Sequence, residues 1–228
     1  MIRSCAGPRR GRLVSCAVLA TAAFAATVAV AEDHALAAKA GLLGLGVEYT
    51  HSIGDLWAVR VGWNGSQVGF DAEESGIEYD FDVVWDSFAV GVDLHPTRGP
   101  LRLFAGLLRN DNRLEAEALL DDEITVGDTT YAADDVGTLF GRVAFDDSAA
   151  FAGVGWDWSR RRARGVGVSF DIGVVSQGSP KVTLRASGPI ADVPQFEDDI
   201  AAEEAELTDA VDDFDLLPFA SIGVVFRF

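Results

Sequence analysis

Stretches of about ten residues in which every second side chain is apolar recur along this chain, and they limit its fold more than any other feature. In GLGVEYT, Leu45, Val47 and Tyr49 alternate with Gly44, Gly46, Glu48 and Thr50. In LWAVRVGWNG, Trp57, Val59, Val61 and Trp63 alternate with Ala58, Arg60, Gly62 and Asn64. FAVGVDLHP sets Phe88, Val90, Val92 and Leu94 against Ala89, Gly91, Asp93 and His95, and GVGVSFDIGV repeats the pattern from Val166 to Val174. The chain closes on SIGVVFRF, with Ile222, Val224, Phe226 and Phe228 on one side and Ser221, Gly223, Val225 and Arg227 on the other. LRLFAGLLRN and AAFAGVGWDW follow more weakly, aligned on Leu103 and Leu107 and on Val154 and Trp156. Successive side chains of a strand point to opposite faces, so each segment has one greasy face and one of glycine, alanine, serine and an occasional charge. Such repetition is the mark of an antiparallel barrel.

The N-terminus says where the barrel goes. MIRSCAGPRRGR carries Arg3, Arg9, Arg10 and Arg12 and no acid; an uncharged run follows from Leu13 to Val30, and Ala29-Val30-Ala31 ends it. This is the pattern of a secretory signal peptide, residues 1–31, cut after Ala31, which leaves one domain over 32–228. Cys5 and Cys16 are the only cysteines. Both depart with the signal, so the mature chain has neither a disulfide framework nor thiolate chemistry. Loss of four arginines from the 18 bases leaves 36 acids against 14, a net charge of −22. That surface excludes nucleic acid as a partner. No later run of roughly 18 apolar residues follows, so the exported chain can re-enter a membrane only as a closed sheet.

Alternation leaves open which face is inside. A soluble lipocalin-like barrel turns its apolar face inward and a membrane barrel turns it outward. Three observations favour outward. Gly44, Gly46, Gly62, Gly91, Gly106, Gly155, Gly167, Gly173 and Gly223 crowd the other face, as a narrow lumen requires. Trp57, Trp63, Trp156, Trp158, Phe226 and Phe228 lie near segment ends, where interfacial girdles form. Short connectors (52–55, 96–99, 159–165) also alternate with long ones (about 67–78, 114–147 and 176–215). These segments give seven strands, and a periplasmic N-terminus requires an eighth within His34–Ala40. Trp85, out of phase in DFDVVWDSFAVGV, implies either a bulge at Val84–Asp86 or a strand extension over Tyr79–Val83. The expectation is all-β: a closed antiparallel transmembrane β-barrel of eight strands with a short extracellular helix in the last long loop.

With its paired Gly-x-Gly strands, short turns and terminal Ile-x-Val-x-Phe-x-Phe, the chain resembles the small bacterial outer-membrane barrels of the OmpA, OmpX, OmpW and CarO kind. The resemblance implies the cell outer membrane as location, its lipids as surroundings and a monomeric state. It implies that Ile222, Val224, Phe226 and Phe228 form the assembly signal read by the barrel assembly machinery. The likeness to CarO and OmpW further implies, as an alternative function, a narrow channel for uptake of small solutes.

By strand phase Glu48, Arg60, Asp93, Arg102, Asp171 and Arg227 face the lumen. An unpaired buried ion is expensive, so these charges should pair across it. An eight-stranded barrel is barely wide enough for its own side chains, which makes a plug the first reading and a selective path the second. In the last long loop, Phe196, Ile200, Leu207 and Val211 share one helical face after Pro194. A divalent-cation site made by Glu203, Glu204 and Asp212 is conceivable there; without an Asp-x-Asp-x-Asp-Gly loop they read as solvated acids, and no metal or cofactor is expected. Ile124–Val126 and Thr129–Ala132 should form a hairpin about Gly127-Asp128, KVTLRA a strand beyond the membrane, and Arg160 with its neighbours a basic turn. His34, His51 and His95 are the only histidines, and nothing resembles a nucleophile elbow. The sequence therefore points away from an enzyme, with lipid modification as the remote exception, and toward a structural or surface-interaction role with a largely plugged lumen.

Overall fold

The alternating segments find antiparallel partners around a complete ring in a computed structural model that describes residues 33–74, 77–120, 123–127, 129–161 and 164–228. The expected signal peptide falls outside the described residues. In chain order the elements are β1 (His34–Gly41), β2 (Gly44–Ile53), β3 (Trp57–Glu74), β4 (Ile77–Leu94), β5 (Leu101–Asn110) and β6 (Arg113–Leu119). Then come the hairpin strands β7 (Ile124–Val126) and β8 (Thr129–Tyr131), the single helical turn α1 (Ala133–Val136), β9 (Leu139–Ala144) and β10 (Ser148–Asp157). After β11 (Gly165–Ser176) and β12 (Lys181–Ala186), helix α2 (Pro194–Val211) leads into β13 (Leu216–Arg227).

Eight strands close the ring in the order β4-β3-β2-β1-β13-β11-β10-β5, and β5 returns to β4 from Ser87↔Asn110 to Leu94↔Leu103. The weakly patterned segment after His34 supplies the eighth strand: β1 pairs with β2 on one side and with β13 on the other. Closure gives every strand two neighbours, which hydrocarbon demands because it offers no hydrogen bonds to an open edge. Val47, Val90, Val92, Leu107, Val168, Ile172 and Val224 lie exposed on the outer wall, while Gly46, Thr50, Arg60, Asp93, Arg102 and Asp171 are buried inside. The apolar face is the outer one.

Three connections follow the expected pattern of short turns at one rim. The other rim departs from it, since β1 and β2 join there through Leu42-Leu43 alone. The first long connector is also a correction. Rather than a loop over about 67–78, β3 and β4 are 18-residue strands in one unbroken register from Trp57↔Leu94 to Glu74↔Ile77. They need only about ten residues to cross a bilayer, so their upper halves project beyond the loop rim. No bulge resets Trp85, which sits opposite Ser66 on the inner side; the strand extension is the correct alternative.

The projection carries three more strands. β6 pairs with upper β4 in the register that β5 uses below, β9 pairs with β6, and β12 with β9. Only Asp111 and Asn112 interrupt the β5–β6 edge, and they are stitched to it: the Asp111 N–H donates to the Asp86 carbonyl at 2.9 Å and the Asp86 N–H to Asn112 Oδ1 at 2.8 Å. The result is a five-stranded sheet, β12-β9-β6-β4-β3, standing on the barrel wall. The sequence anticipated β12 and the β7–β8 hairpin, but not β6 or β9.

Candidate functional site: the lumen and the platform above it

The lumen is built from residues that alternation turns inward, and register decides which of them meet. Lys39 lies opposite Gly46 and Gly223, Glu48 opposite Gly62, and Arg60 opposite Gly91. Arg102 and Asp171 both flank Gly155, one from each neighbouring strand. A charged side chain thus starts beside a glycine, which leaves the barrel centre free for it. A Cβ at Gly155 would collide with Asp171 Oδ1.

In that space the charges form one cluster. Arg102 grips Asp171, with Nη2 at 2.6 Å from Oδ2 and Nε at 3.0 Å from Oδ1, and reaches Asp93 Oδ2 at 3.3 Å. Lys39 Nζ bridges Glu48 Oε2 at 2.8 Å and Asp171 Oδ2 at 2.6 Å. Arg60 Nη1 lies 3.3 Å from Glu48 Oε2, and its Nε lies 3.0 Å from Asp93 Oδ1, too oblique for a hydrogen bond. Its guanidinium carbon sits 4.2 Å above the Phe104 ring, a cation–π contact that supports its exposed face. Three cations face three carboxylates, which offsets the desolvation that isolated buried ions would suffer.

Arg227 faces inward as expected but belongs to a second, lower group. Its Nη2 lies 3.1 Å from Asp157 Oδ2, and its Nη1 donates to Ser52 Oγ at 3.3 Å. Arg160, expected in a basic turn, turns under the barrel and donates to Ser52 Oγ at 3.2 Å and to the Asp55 carbonyl at 3.0 Å. Buried Asp157, Ser159 and His95 complete this base. Above the ions, Phe104 stacks obliquely with Phe151 and Phe219, each pair of rings 6.2 Å apart, and Leu108, Ala149 and Val175 pack over them. This apolar lid adds three phenylalanines to an inner face expected to hold glycine, alanine, serine and an occasional charge. Some 70 Å³ remains between lid and cluster, room for a few waters.

Sequence reasoning missed Lys39, Asp157 and Arg160. The first two had a signal: Lys39 follows Ala35 and Ala37 at period two, and Asp157 follows Gly155. Arg160 lies in a turn, where no periodicity speaks.

On the outer wall, Ile222, Val224 and Phe226 are exposed along β13. The Phe228 N–H donates to the His34 carbonyl at 2.9 Å, and its ring stacks on His34 and Phe226. His34 also stacks on His51 with centroids 4.8 Å apart, whereas His95 is buried in the base, so the three histidines serve two separate places.

The platform beyond the loop rim has two unlike faces. Directly opposed residues share a face, so Phe70 with Phe81, Val83 with Leu114, and Gly141 with Leu184 mark an apolar one. The other carries Asp80, Asp82, Glu115, Glu117, Arg142 and Arg185. Helix α2 covers the free edge of β12, where Glu204 Oε1 accepts the Leu184 N–H at 2.6 Å and Thr208 Oγ1 the Val182 N–H at 3.4 Å. Its Phe196 is 1% exposed, locked with Val126 and Val136 and edge-on to Tyr131. The apolar stripe of α2 thus rests on neighbouring loop elements. Glu203 and Glu204 turn to different partners, Gly127 N and Leu184 N; the Asp212 side chain lies outside the described residues.

No protein-family model matches the chain, and no curated protein matches it. Its structure is similar to that of CarO2 from Acinetobacter baumannii, at a TM-score of 0.59 and 19% identity over 86% of this chain and 98% of the other. It is likewise similar to CarO from the same organism, at 0.57 and 21% over 87% and 98%. The attachment invasion locus protein Ail of Yersinia pestis, solved with sucrose octasulfate, aligns at 0.31 and 12% over 86% and 94%. A closed ring of eight strands, an outer wall made for lipid and a helix before the closing strand together give this chain the fold of a CarO-like outer-membrane β-barrel.

Proposed function

We propose that this protein is a closed-lumen outer-membrane barrel whose working part is the sheet-and-helix platform held outside the cell. The ion cluster carries this reading. Arg102, Asp171, Lys39, Glu48, Arg60 and Asp93 occupy the barrel centre with mutual distances of 2.6 to 3.8 Å, and aromatic rings lie above them. A solute passing through would have to part ions from their partners in a low-dielectric interior, where that is costly. The platform supports a surface-interaction role. Above Asn64, β3 has a strand partner on one side only among the described residues, and Val68 and Phe70 are half exposed there. The barrel acts as a monomeric anchor in outer-membrane lipid, its last strand serves as the assembly signal, and it carries out no catalysis.

Single-channel recording on the purified mature chain in planar bilayers tests the closed lumen. The expected record is silent across physiological voltages. Ohmic steps that shrink in Arg60→Ala or Arg102→Ala would establish the narrow solute channel instead.

A further inference from the structure

The platform does not close on itself. Between the apolar face of the sheet and the elements lying over it is a cavity of about 680 Å³, within the range of sites that take small organic molecules. Its floor is Phe81, Leu114, Ala116, Leu139, Gly141 and Leu184; its roof is Ile124 and Val126 of β7 with Leu207 of α2. The centre of the floor is made of small residues, where larger ones would fit. A Cβ built on Gly141 would meet its nearest neighbours, Leu184 Cδ2 and Ala116 Cβ, at 3.5 and 3.8 Å, ordinary contact distances.

The roof is held off that floor by bonds at its margins. Glu204 and Thr208 fasten α2 to the edge of β12, Tyr131 Oη donates to Asp199 Oδ2 at 2.6 Å, and the Gly127 N–H donates to Glu203 Oε2 at 3.3 Å. Helix and hairpin therefore span the gap without needing side chains to fill it.

The charge at the mouth has one sign. Glu123 and Glu203 border the cavity. The helix above carries Glu197, Asp198, Asp199, Glu203, Glu204, Glu206 and Asp209 and no lysine or arginine. Arg142 touches the edge of the cavity, but it springs from the opposite face of β9 and shares a groove there with Asp80, Asp82, Glu115 and Glu117. An apolar molecule bearing a negative charge would meet like charge on entry, and one bearing a positive charge would meet its complement.

We propose that this cavity binds a lipophilic cation, with the apolar body over Ala116 and Gly141 and the positive charge near Glu203 and Glu123. The inference deepens the surface-interaction reading above and rests on it. Tetraphenylphosphonium and tetraphenylborate, alike in shape and opposite in charge, test it by equilibrium dialysis against the mature protein in phosphatidylcholine nanodiscs, with empty nanodiscs as baseline. The expected result is saturable binding of the phosphonium at one site per chain and binding of the borate weaker by about tenfold or more. Ala116→Trp and, independently, Gly141→Leu fill the floor and should each abolish the saturable component; Glu203→Gln should weaken it severalfold. Phosphonium uptake no greater than in empty nanodiscs, equal binding of both ions, or undiminished binding in folded floor-filling variants would each overturn the proposal. Bilayer recording on the same preparation keeps the two readings apart. Silence without binding defeats the cavity site alone, and conductance defeats the closed lumen whatever the ions do.

Discussion

Arg102 and Asp171 stand on strands that are not neighbours, β5 and β11, and reach each other across Gly155 of the strand between them. The pair closes with Nη2 to Oδ2 at 2.6 Å and Nε to Oδ1 at 3.0 Å, both residues almost wholly buried. It is the firmest link in the cluster, because its two-point geometry fixes orientation as well as distance.

Removing one partner should cost far more than the pair is worth. Asp171→Asn leaves Lys39 and Arg102 buried with a surplus of positive charge, and loss of a buried partner typically costs about 3–5 kcal/mol. Urea unfolding of the barrel in lipid should show that drop, and Lys39→Met in the same chain should restore much of it. A single variant as stable as the parent would mean that water, not protein, balances these charges.

Gly155 should tolerate no side chain. Gly155→Val places a Cβ on Asp171 Oδ1 and beside Arg102 Nε, and neither can move without abandoning its partner. The measurable outcome is loss of the compact, heat-modifiable species on semi-native gels. Gly54→Ala, in a turn with open space around it, is the control for substitution in general; its positive φ makes a modest cost there the expected baseline.

Deleting Phe228 should act mainly on assembly. The residue contributes one backbone bond to His34 and rings stacked on the outer wall, which the remaining barrel can lose. The folded fraction in outer membranes should fall severalfold, while the purified chain still refolds in detergent. Equal yields in cells would remove the assembly role from the terminal strand.

The α2 module should open separately from the barrel. Phe196→Ala empties its centre, at a cost of about 3–5 kcal/mol for a buried phenylalanine. Hydrogen exchange should quicken over 124–131 and 194–211 and stay slow in β1, β2 and β13. Uniform loss of protection would show that platform and barrel form one cooperative unit.

Acidity should steady the projecting hairpin. Asp71 and Asp80 face each other across β3 and β4, and the hydrogen bond that protonated Asp80 donates to the Asp71 carboxylate, then desolvation, raises the Asp80 pKa. The folded form then holds a proton that the unfolded form has released. The contribution is complete below the ordinary aspartate range and disappears as pH climbs through the raised value. Carboxyl chemical shifts followed by NMR should show this late titration, and Asp71→Asn should alter it; an ordinary aspartate curve for Asp80 would contradict the shared bond.

Period-two alternation is a local consequence of strand geometry, so the chain itself determined the strands, their faces and the closing role of Ile222, Val224 and Phe226. It likewise placed Glu48, Arg60, Asp93, Arg102, Asp171 and Arg227 inside. Which of these meet was decided by the tertiary structure, because register and ring closure bring together residues as distant as Lys39 and Asp171, 132 positions apart. The platform was the least legible part. RLEAEAL and LFGRVA are short and mixed in character, and they become strands because the upper half of β4 offers an edge to pair with. The phenylalanine lid was only half legible. Strand phase turns Phe104, Phe151 and Phe219 inward, but pairing alone shows that each lies beside a glycine of the adjacent strand, Gly153, Gly106 and Gly173, which leaves room for the rings.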